Sequence, residues 1–505
     1  MKKIKSALIS VYNKEHLDEV LQTLQGHGVK LYSTGGTYDF IISQGIEAQT
    51  VESITGYPSI LGGRVKTLHP KVFGGILARR DSLSDVDQME TYEIPSIDLV
   101  IVDLYPFEET VQTSDDVDEI IEKIDIGGIS LIRAAAKNYK DVLIVSSVDQ
   151  YQSLIGLLHE NDGCTSEAER REFASRAFAM SSHYDSCIFN YFNREQQLPL
   201  LRVSANHPMS LRYGENPHQK GVFYGDFSEM FEQFHGKAIS YNNLLDIDAA
   251  VALMHDFNDT TFAIIKHNNA CGLASRENLM DAWKDALVGD PVSAFGGIII
   301  CNKEINLAVA EEINKLFYEI LIAPSYQPEA LELLKSKKNR IILKLKTEFQ
   351  QAKTVRTLLN GFIEQEKDVK TETVEDLKAV SKKVATEKEI SDLLFANKIV
   401  KHSKSNAIVL VKNNQLLASG IGQTSRVDAL QQAIAKANHF GFDIKGAVMA
   451  SDAFFPFPDC VEIAHNAGIT SVIQPGGSVK DNESISYCDE HNLSMVITGF
   501  RHFKH

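Results

Sequence analysis

The sequence predicts an α/β protein of two domains, 1–198 and 199–505. Three observations carry this. Residues 4 to 146 alternate short apolar strands with amphipathic helices, the pattern of a parallel sheet. A Pro-punctuated stretch, Gln196 to Asn216, then changes the character of the chain. Beyond it, Ala407–Asn414 echoes Ala263–Asn268, each an apolar strand closing on polar residues, so a duplicated α/β unit is expected in the second domain.

Length and composition narrow the class. At 505 residues each domain can bury a full core, and 44% hydrophobic with 23% charged residues is ordinary for a globular chain. The net charge of −16 argues against a nucleic-acid partner, which needs a basic face, but leaves room for small anionic substrates. Six scattered cysteines without a C-x-x-C pair fit free thiols in a reducing compartment. The amino terminus does not read as a signal peptide, and no apolar run is long enough to span a bilayer. A cytoplasmic protein without a membrane partner is expected.

In the first domain, residues 4–11 read as a buried strand. Asn13 is a candidate cap for a helix with Leu17, Val20, Leu21 and Leu24 on one face. Val29–Tyr32 is a second strand, and Ser33-Thr34-Gly35-Gly36-Thr37 turns into the next helix. Such a turn can cradle a phosphate on backbone N–H groups, or be only a turn. Residues 62–71, GGRVKTLHPK, crowd Arg64, Lys66, His69 and Lys71 onto a Gly- and Pro-bounded loop, which favours an anion site. Residues 97–104 form a strand that leads into Tyr105, whose default role is in the core. A helix over 117–124 ends at Asp125-Ile126-Gly127-Gly128. The next, 130–138, sets Arg133 and Lys137 on one face, with Asp125 a possible partner.

In the second domain, Thr260–Ser275 is the stretch of greatest chemical interest. A strand ends on Lys266, His267, Asn268 and Asn269, followed by a turn around Gly272 and a helix from Ser275. That brings a cation and a titratable ring to a strand end, where open α/β sheets bind ligands. A buried, satisfied histidine is the competing reading. The echo puts Asn413 at a related strand end facing the same cleft as His267, and Ser451–Phe454 echoes Ser293–Phe295. Residues 331–390 read as an excursion between the two halves, and the charged carboxyl terminus as solvated.

The motifs SVYNK, STGGT, GGRVKTLHP, DLYPF, DIGG and RAAAKN, in this order, resemble the IMP cyclohydrolase domain of the bifunctional AICAR transformylase/IMP cyclohydrolase family. LRYGENPHQ, IIKHNNACG, AFGG, KNNQ, SDAFFPF and FRHF resemble its transformylase domain. The resemblance implies a methylglyoxal-synthase-like first domain and a duplicated cytidine-deaminase-like second domain without zinc. The absence of an H-x-E and P-C-x-x-C pair agrees with the latter. It implies formyl transfer from 10-formyltetrahydrofolate to AICAR, then ring closure of formyl-AICAR to IMP. It also implies a homodimer whose transformylase site is built across subunits, and no metal in catalysis. A structural potassium ion is compatible with it. The alternative is a purine-nucleotide-binding regulator with one active domain at most.

By the same resemblance, Lys266, His267 and Asn413 carry formyl transfer, with Arg212, Tyr213, Gly296 and Glu319 on AICAR and Phe454, Asp459 and Arg501 on folate. Lys137, Tyr105, Asp125 and Lys66 carry ring closure. Ser10, Tyr12, Asn13, Lys14, Thr34, Gly35, Gly36, Thr37, Arg64, Val65, Thr67, Ile126 and Gly127 hold the nucleotide. Asp103 stands where the family has Asn, so its contact with the base is in question.

Overall fold

Ser6–Ser10 (β1), Lys30–Ser33 (β2), Gln49–Thr50 (β3), Leu99–Val102 (β4) and Leu143–Val145 (β5) form one parallel sheet in the order β3-β2-β1-β4-β5. The central strands are apolar on both faces because helices cover both, as parallel strands require. The computed structural model describes residues 1–347 and 352–505. Its chain divides into two compact units, 1–206 and 207–505.

Three local expectations in the first unit are corrected. The first helix, Leu17–Gly26 (α1), starts after His16, and Asn13 does not cap it; the Asn13 side chain instead accepts from Glu15 N at 2.9 Å. Gly127-Gly128 opens the helix Gly127–Lys137 (α2) instead of preceding it, because Asp125 Oδ1 accepts the Gly128 N–H at 2.6 Å. Arg133 does not pair with Asp125: it donates to Ser181 and lies over the Phe178 ring. Both partners belong to the long helix Glu167–Gln196 (α3), which starts on a Ser166/Glu169 capping box.

The second unit is built twice over. Phe231–His235 (β6), Thr261–Lys266 (β7), Asn269–Ser275 (β8), Ile298–Cys301 (β9), Ile320–Ala323 (β10) and Ile341–Leu345 (β11) form a sheet in the order β6-β11-β10-β9-β7-β8. Lys378–Ala379 (β12), Ile408–Val411 (β13), Leu416–Gly420 (β14), Val448–Ser451 (β15), Ser471–Gln474 (β16) and Ser494–Ile497 (β17) form a second, ordered β12-β17-β16-β15-β13-β14. The sequence of parallel and antiparallel pairings is the same in both. The helices Tyr241–His255 (α4) and Glu387–Lys401 (α5) match too, each begun by a capping box. The duplication is therefore structural.

The sheets also correct the reading of Thr260–Ser275. β7 and β8 are a hairpin, so β7 lies antiparallel to β9 and no βαβ crossover joins them. The turn is His267-Asn268, at φ 52° and 65°, and Gly272 is a strand residue. The following helix starts at Leu279. The echo of 293–295 in 451–454 is not one of position: the first precedes β9, the second begins on the last residue of β15. Nor is 331–390 wholly an excursion, since β11 is an inner strand of the first sheet; residues 348–351 of that stretch lie outside the described residues.

Candidate active sites

A cavity of about 590 Å³ opens at the carboxyl ends of β1, β2 and β4. Ser10, Tyr12, Lys14, Thr34, Gly36, Thr37, Arg64, Lys66, Thr67, Asp103, Tyr105, Asp125, Ile126 and Gly127 line it. One end is cationic. The helix Gly35–Ser43 begins there without a side-chain cap, and the hydroxyl of Thr34 is buried without a partner. Lys66 Nζ lies over Gly35, 3.7 Å from where a Cβ would be. Unpaired N–H groups, a free hydroxyl and an ammonium together suit a phosphate. Arg64, on the rim, ion-pairs with Glu122.

The other end is carboxylic. Asp103 accepts the Tyr12 N–H and, at 2.8 Å, the Asn13 N–H. Both its oxygens thus fasten the loop after β1. Burial raises its pKa, against those two hydrogen bonds. Burial likewise raises Asp125, against the Gly128 N–H and the charge of Lys66. Burial and then the charges of Asp125 and Asp103 push the Tyr105 phenol up. The Tyr12 and Tyr105 rings meet edge to face at 5.5 Å. Behind them, Tyr184 of α3 accepts from Asp125 N and donates to Lys123 O, both at 2.7 Å, and so fixes the loop that carries Asp125.

Several expected contacts differ. The Thr37 hydroxyl is occupied by both backbone groups of Val11, at 3.1 and 2.9 Å, so only its backbone N–H can meet a ligand. Gly35 has only its backbone N–H to offer, at the helix start, and Asn13 and Val65 are not on the cavity wall. His69 caps the helix Pro70–Leu77 by accepting from Lys71 N. Lys137 is exposed at the far end of α2. It stands about 9 Å of helix rise beyond Leu131, the last wall residue of α2, and about 120° around the axis from it.

In the second unit, the β7–β8 turn gathers a different set. Asp246 Oδ1 of α4 accepts the Asn268 N–H at 2.6 Å. Burial raises the Asp246 pKa, against that hydrogen bond and the charge of His267. Lys266 Nζ donates to Phe295 O at 2.7 Å, which ties it to Gly296. Glu319 accepts from Lys237 at 3.2 Å and Asn243 at 3.1 Å. Lys266, His267, Gly296 and Glu319 are thus brought together. Arg212 donates to the Tyr213 hydroxyl on a loop tied to α4 through Asn242 and Glu215 O. Cys271 is a strand residue whose thiol burial pushes up to about 12, which disfavours a thiolate there.

Asn413 and His267 do not share a cleft within one chain. Ala274 of β8 bridges antiparallel to Gln415, the residue before β14, and Arg276 donates to Asn413 O at 2.7 Å. The Asn413 turn therefore sits at the far end of β8 from His267, roughly 17 Å along the strand. Asn413 instead borders an open groove with Arg276, Lys303, Lys388 and Ser391. Phe454 follows β15 and Asp459 opens the helix Asp459–Asn466, where its own carboxylate accepts from Cys460 N. Arg501 is exposed over the Phe503 ring, near the same strand because His502 N donates to Asp452 O.

The carboxyl terminus is not simply solvated. His502 is buried between Asp368 at 2.6 Å and Glu372 at 2.7 Å. Burial alone would lower its pKa, but the two acids raise it to about 9. Both acids lie more than 100 residues away in the chain, so local sequence carries no sign of the contact.

A model of the AICARFT/IMPCHase bienzyme family matches residues 135–436, and one of the MGS-like domain matches 16–130. The bifunctional purine biosynthesis protein PurH of Bacteroides thetaiotaomicron is 64% identical over 504 residues, covering 100% of this chain and 99% of that protein. The chain belongs to the AICARFT/IMPCHase bienzyme family. PurH of Aquifex aeolicus is 45% identical over 99% of this chain and 100% of its own length. The AICARFT/IMPCHase architecture thus begins with the MGS-like parallel sheet, and the reading as a regulator without two enzymatic domains is not favoured. No helix among the described residues is long and apolar enough to cross a membrane. The one group of His, Cys and acidic side chains among them that could hold a metal is Glu108, His183 and Cys187. A thiol and an imidazole do not suit the structural potassium ion the family reading allows.

Proposed function

We propose that the two units divide the family's two reactions between them: the second formylates AICAR with 10-formyltetrahydrofolate as co-substrate, and the first closes formyl-AICAR to IMP. The observation that carries this is the pairing of a phosphate cradle and two raised carboxyls in one cavity.

For ring closure, the nucleotide phosphate docks on the start of the Gly35–Ser43 helix, with Thr34, Lys66 and Arg64, which exchanges Glu122 for the phosphate. The carboxamide nitrogen attacks the formyl carbon and gives up one proton; the formamide nitrogen then gives up its own as the C–O bond breaks, and the former formyl oxygen leaves as water with two protons. Asp125, with its pKa raised by burial, has the basicity to receive the first of these, and Tyr105 can donate to the oxygen. Lys66 offsets negative charge on the way. Lys137 has no part in this reading, given its distance from the wall.

For formyl transfer, the 5-amino nitrogen of AICAR attacks the formyl carbon while His267 removes its proton, and the folate nitrogen leaves. Lys266 stabilises the oxyanion or protonates the leaving nitrogen once it releases Phe295 O. Arg212, Tyr213, Gly296 and Glu319 hold AICAR on this side. Asn413, Phe454, Asp459 and Arg501 complete the site from a second copy, which accounts for the separation of Asn413 from His267. Six free thiols support a cytoplasmic setting.

The test is a paired assay. His267→Ala should lower formyl transfer by ~10²–10⁴-fold and leave closure of supplied formyl-AICAR intact. Asp125→Asn should do the reverse, and Lys137→Ala should leave closure near the parent rate. Loss of closure in a folded Lys137→Ala protein would overturn the assignment of the base.

A further inference from the structure

Glu108, His183 and Cys187 lie outside both sites, and neither reaction uses them. His183 and Cys187 are one turn apart on α3, and Glu108 comes from the neighbouring helix Phe107–Thr113. His183 Nε2 is 3.1 Å from Glu108 Oε2 and 3.6 Å from Cys187 Sγ, and all three ligand atoms fall within 4.8 Å of one another. Zinc bonds of about 2.0–2.3 Å at tetrahedral angles put ligand atoms about 3.3–3.6 Å apart. Two edges of the triangle thus lie close to those of a zinc tetrahedron and the third is within 4.8 Å, with one corner left for water. The other ring nitrogen, Nδ1, is 2.9 Å from Ser204 Oγ. Without an ion, Nε2–H can donate to Glu108; when an ion binds, the ring proton moves to Nδ1 and is donated to Ser204, which frees the Nε2 lone pair for the metal, the tautomer a ligand needs.

We propose that Glu108, His183 and Cys187 form a site for a thiophilic divalent cation of the zinc class, with Ser204 orienting the histidine. On binding, the Cys187 S–H proton passes to solvent and the thiolate joins the ion. The hydrogen-bonded ligand set closes around the end of the first unit. Asn190 donates to Arg202 O at 3.4 Å and Asn193 to Leu198 O at 3.2 Å. With Ser204 held by His183, a bound ion fastens residues 198–204 to α3.

The probe is Co²⁺, titrated into the full-length protein, with Zn²⁺ competition. One equivalent should bind with a thiolate-to-cobalt charge-transfer band, and Zn²⁺ should abolish the band. Cys187→Ser should lose it, His183→Asn and Glu108→Gln should weaken binding, and Ser204→Ala should cost ~10-fold or more in affinity. Zn²⁺ should also slow proteolysis within 197–206 in the parent and not in His183→Asn. No thiolate band in the parent, or a band that survives Cys187→Ser, would overturn the proposal. So would parental affinity in His183→Asn, which would trace binding to other histidines.

Discussion

Asp103 and Asp125 share a cavity, yet their surroundings give them different work. Asp103 spends both oxygens on backbone N–H groups, so it shapes the loop of Tyr12 and Lys14. Asp103→Asn, the residue usual in the family, keeps one acceptor and turns an amide against the other N–H. The expected result is a weaker nucleotide affinity with closure chemistry retained, read as a rise in KM without a matching fall in kcat. Asp125 accepts the backbone N–H groups of Gly128 and Tyr105 and still lines the cavity wall. With its pKa raised, the acid limb of the closure rate should lie above the ordinary carboxylate range and vanish in Asp125→Asn. His502 gives a stability signature instead. Its folded pKa, about 9, exceeds the ordinary 6.5. Its contribution is therefore complete below about pH 6.5 and lost as pH rises through about 9. The melting temperature should fall across that window, and His502→Asn should flatten the fall while costing about 3 kcal/mol at neutral pH.

At the scale of elements, the hairpin of β7 and β8 decides where Lys266 and His267 sit. Its strand β8 lies so close to the helix Leu279–Val288 that a Cβ on Gly272 would overlap Ala286 O. Gly420 meets Ala429 O in the same way in the second half. Gly272→Ala should therefore destabilise by about 1–3 kcal/mol, visible in thermal melts, and disturb formyl transfer through the displaced turn. The hairpin also marks the limit of what the sequence made legible. Strands such as Ile298–Cys301 and helices such as Arg426–His439 announce themselves by apolar runs and periodicity. The cavity motifs were legible because Gly, Thr and Lys cluster in short loops. Lys266 to Asn269 read as a strand end, although Asn at the turn was an available sign of a left-handed two-residue loop. Lys137 matched a motif, but only the direction of α2 reveals how far it stands from the wall.

At the scale of the molecule, the two sheets of the second unit carry the same fastenings. Asp246 holds the turn at Asn268, and Asp392 holds the turn at Asn413-Asn414. Lys266 reaches Phe295 O, and Lys412 reaches Lys445 O at 2.7 Å. Lys412 thus makes the same bond without a histidine beside it, so the resting bond of Lys266 is common to both halves and His267 is the distinguishing addition. The distance between the two turns has a genetic consequence. If His267 and Asn413 meet only across copies, two inactive proteins, His267→Ala and Asn413→Ala, repair one another when co-expressed. A mixed pair contains one site with both defects and one with neither. Formyl transfer should therefore reappear in the mixture, and an enzyme that stays silent after verified mixing would mean each chain works alone.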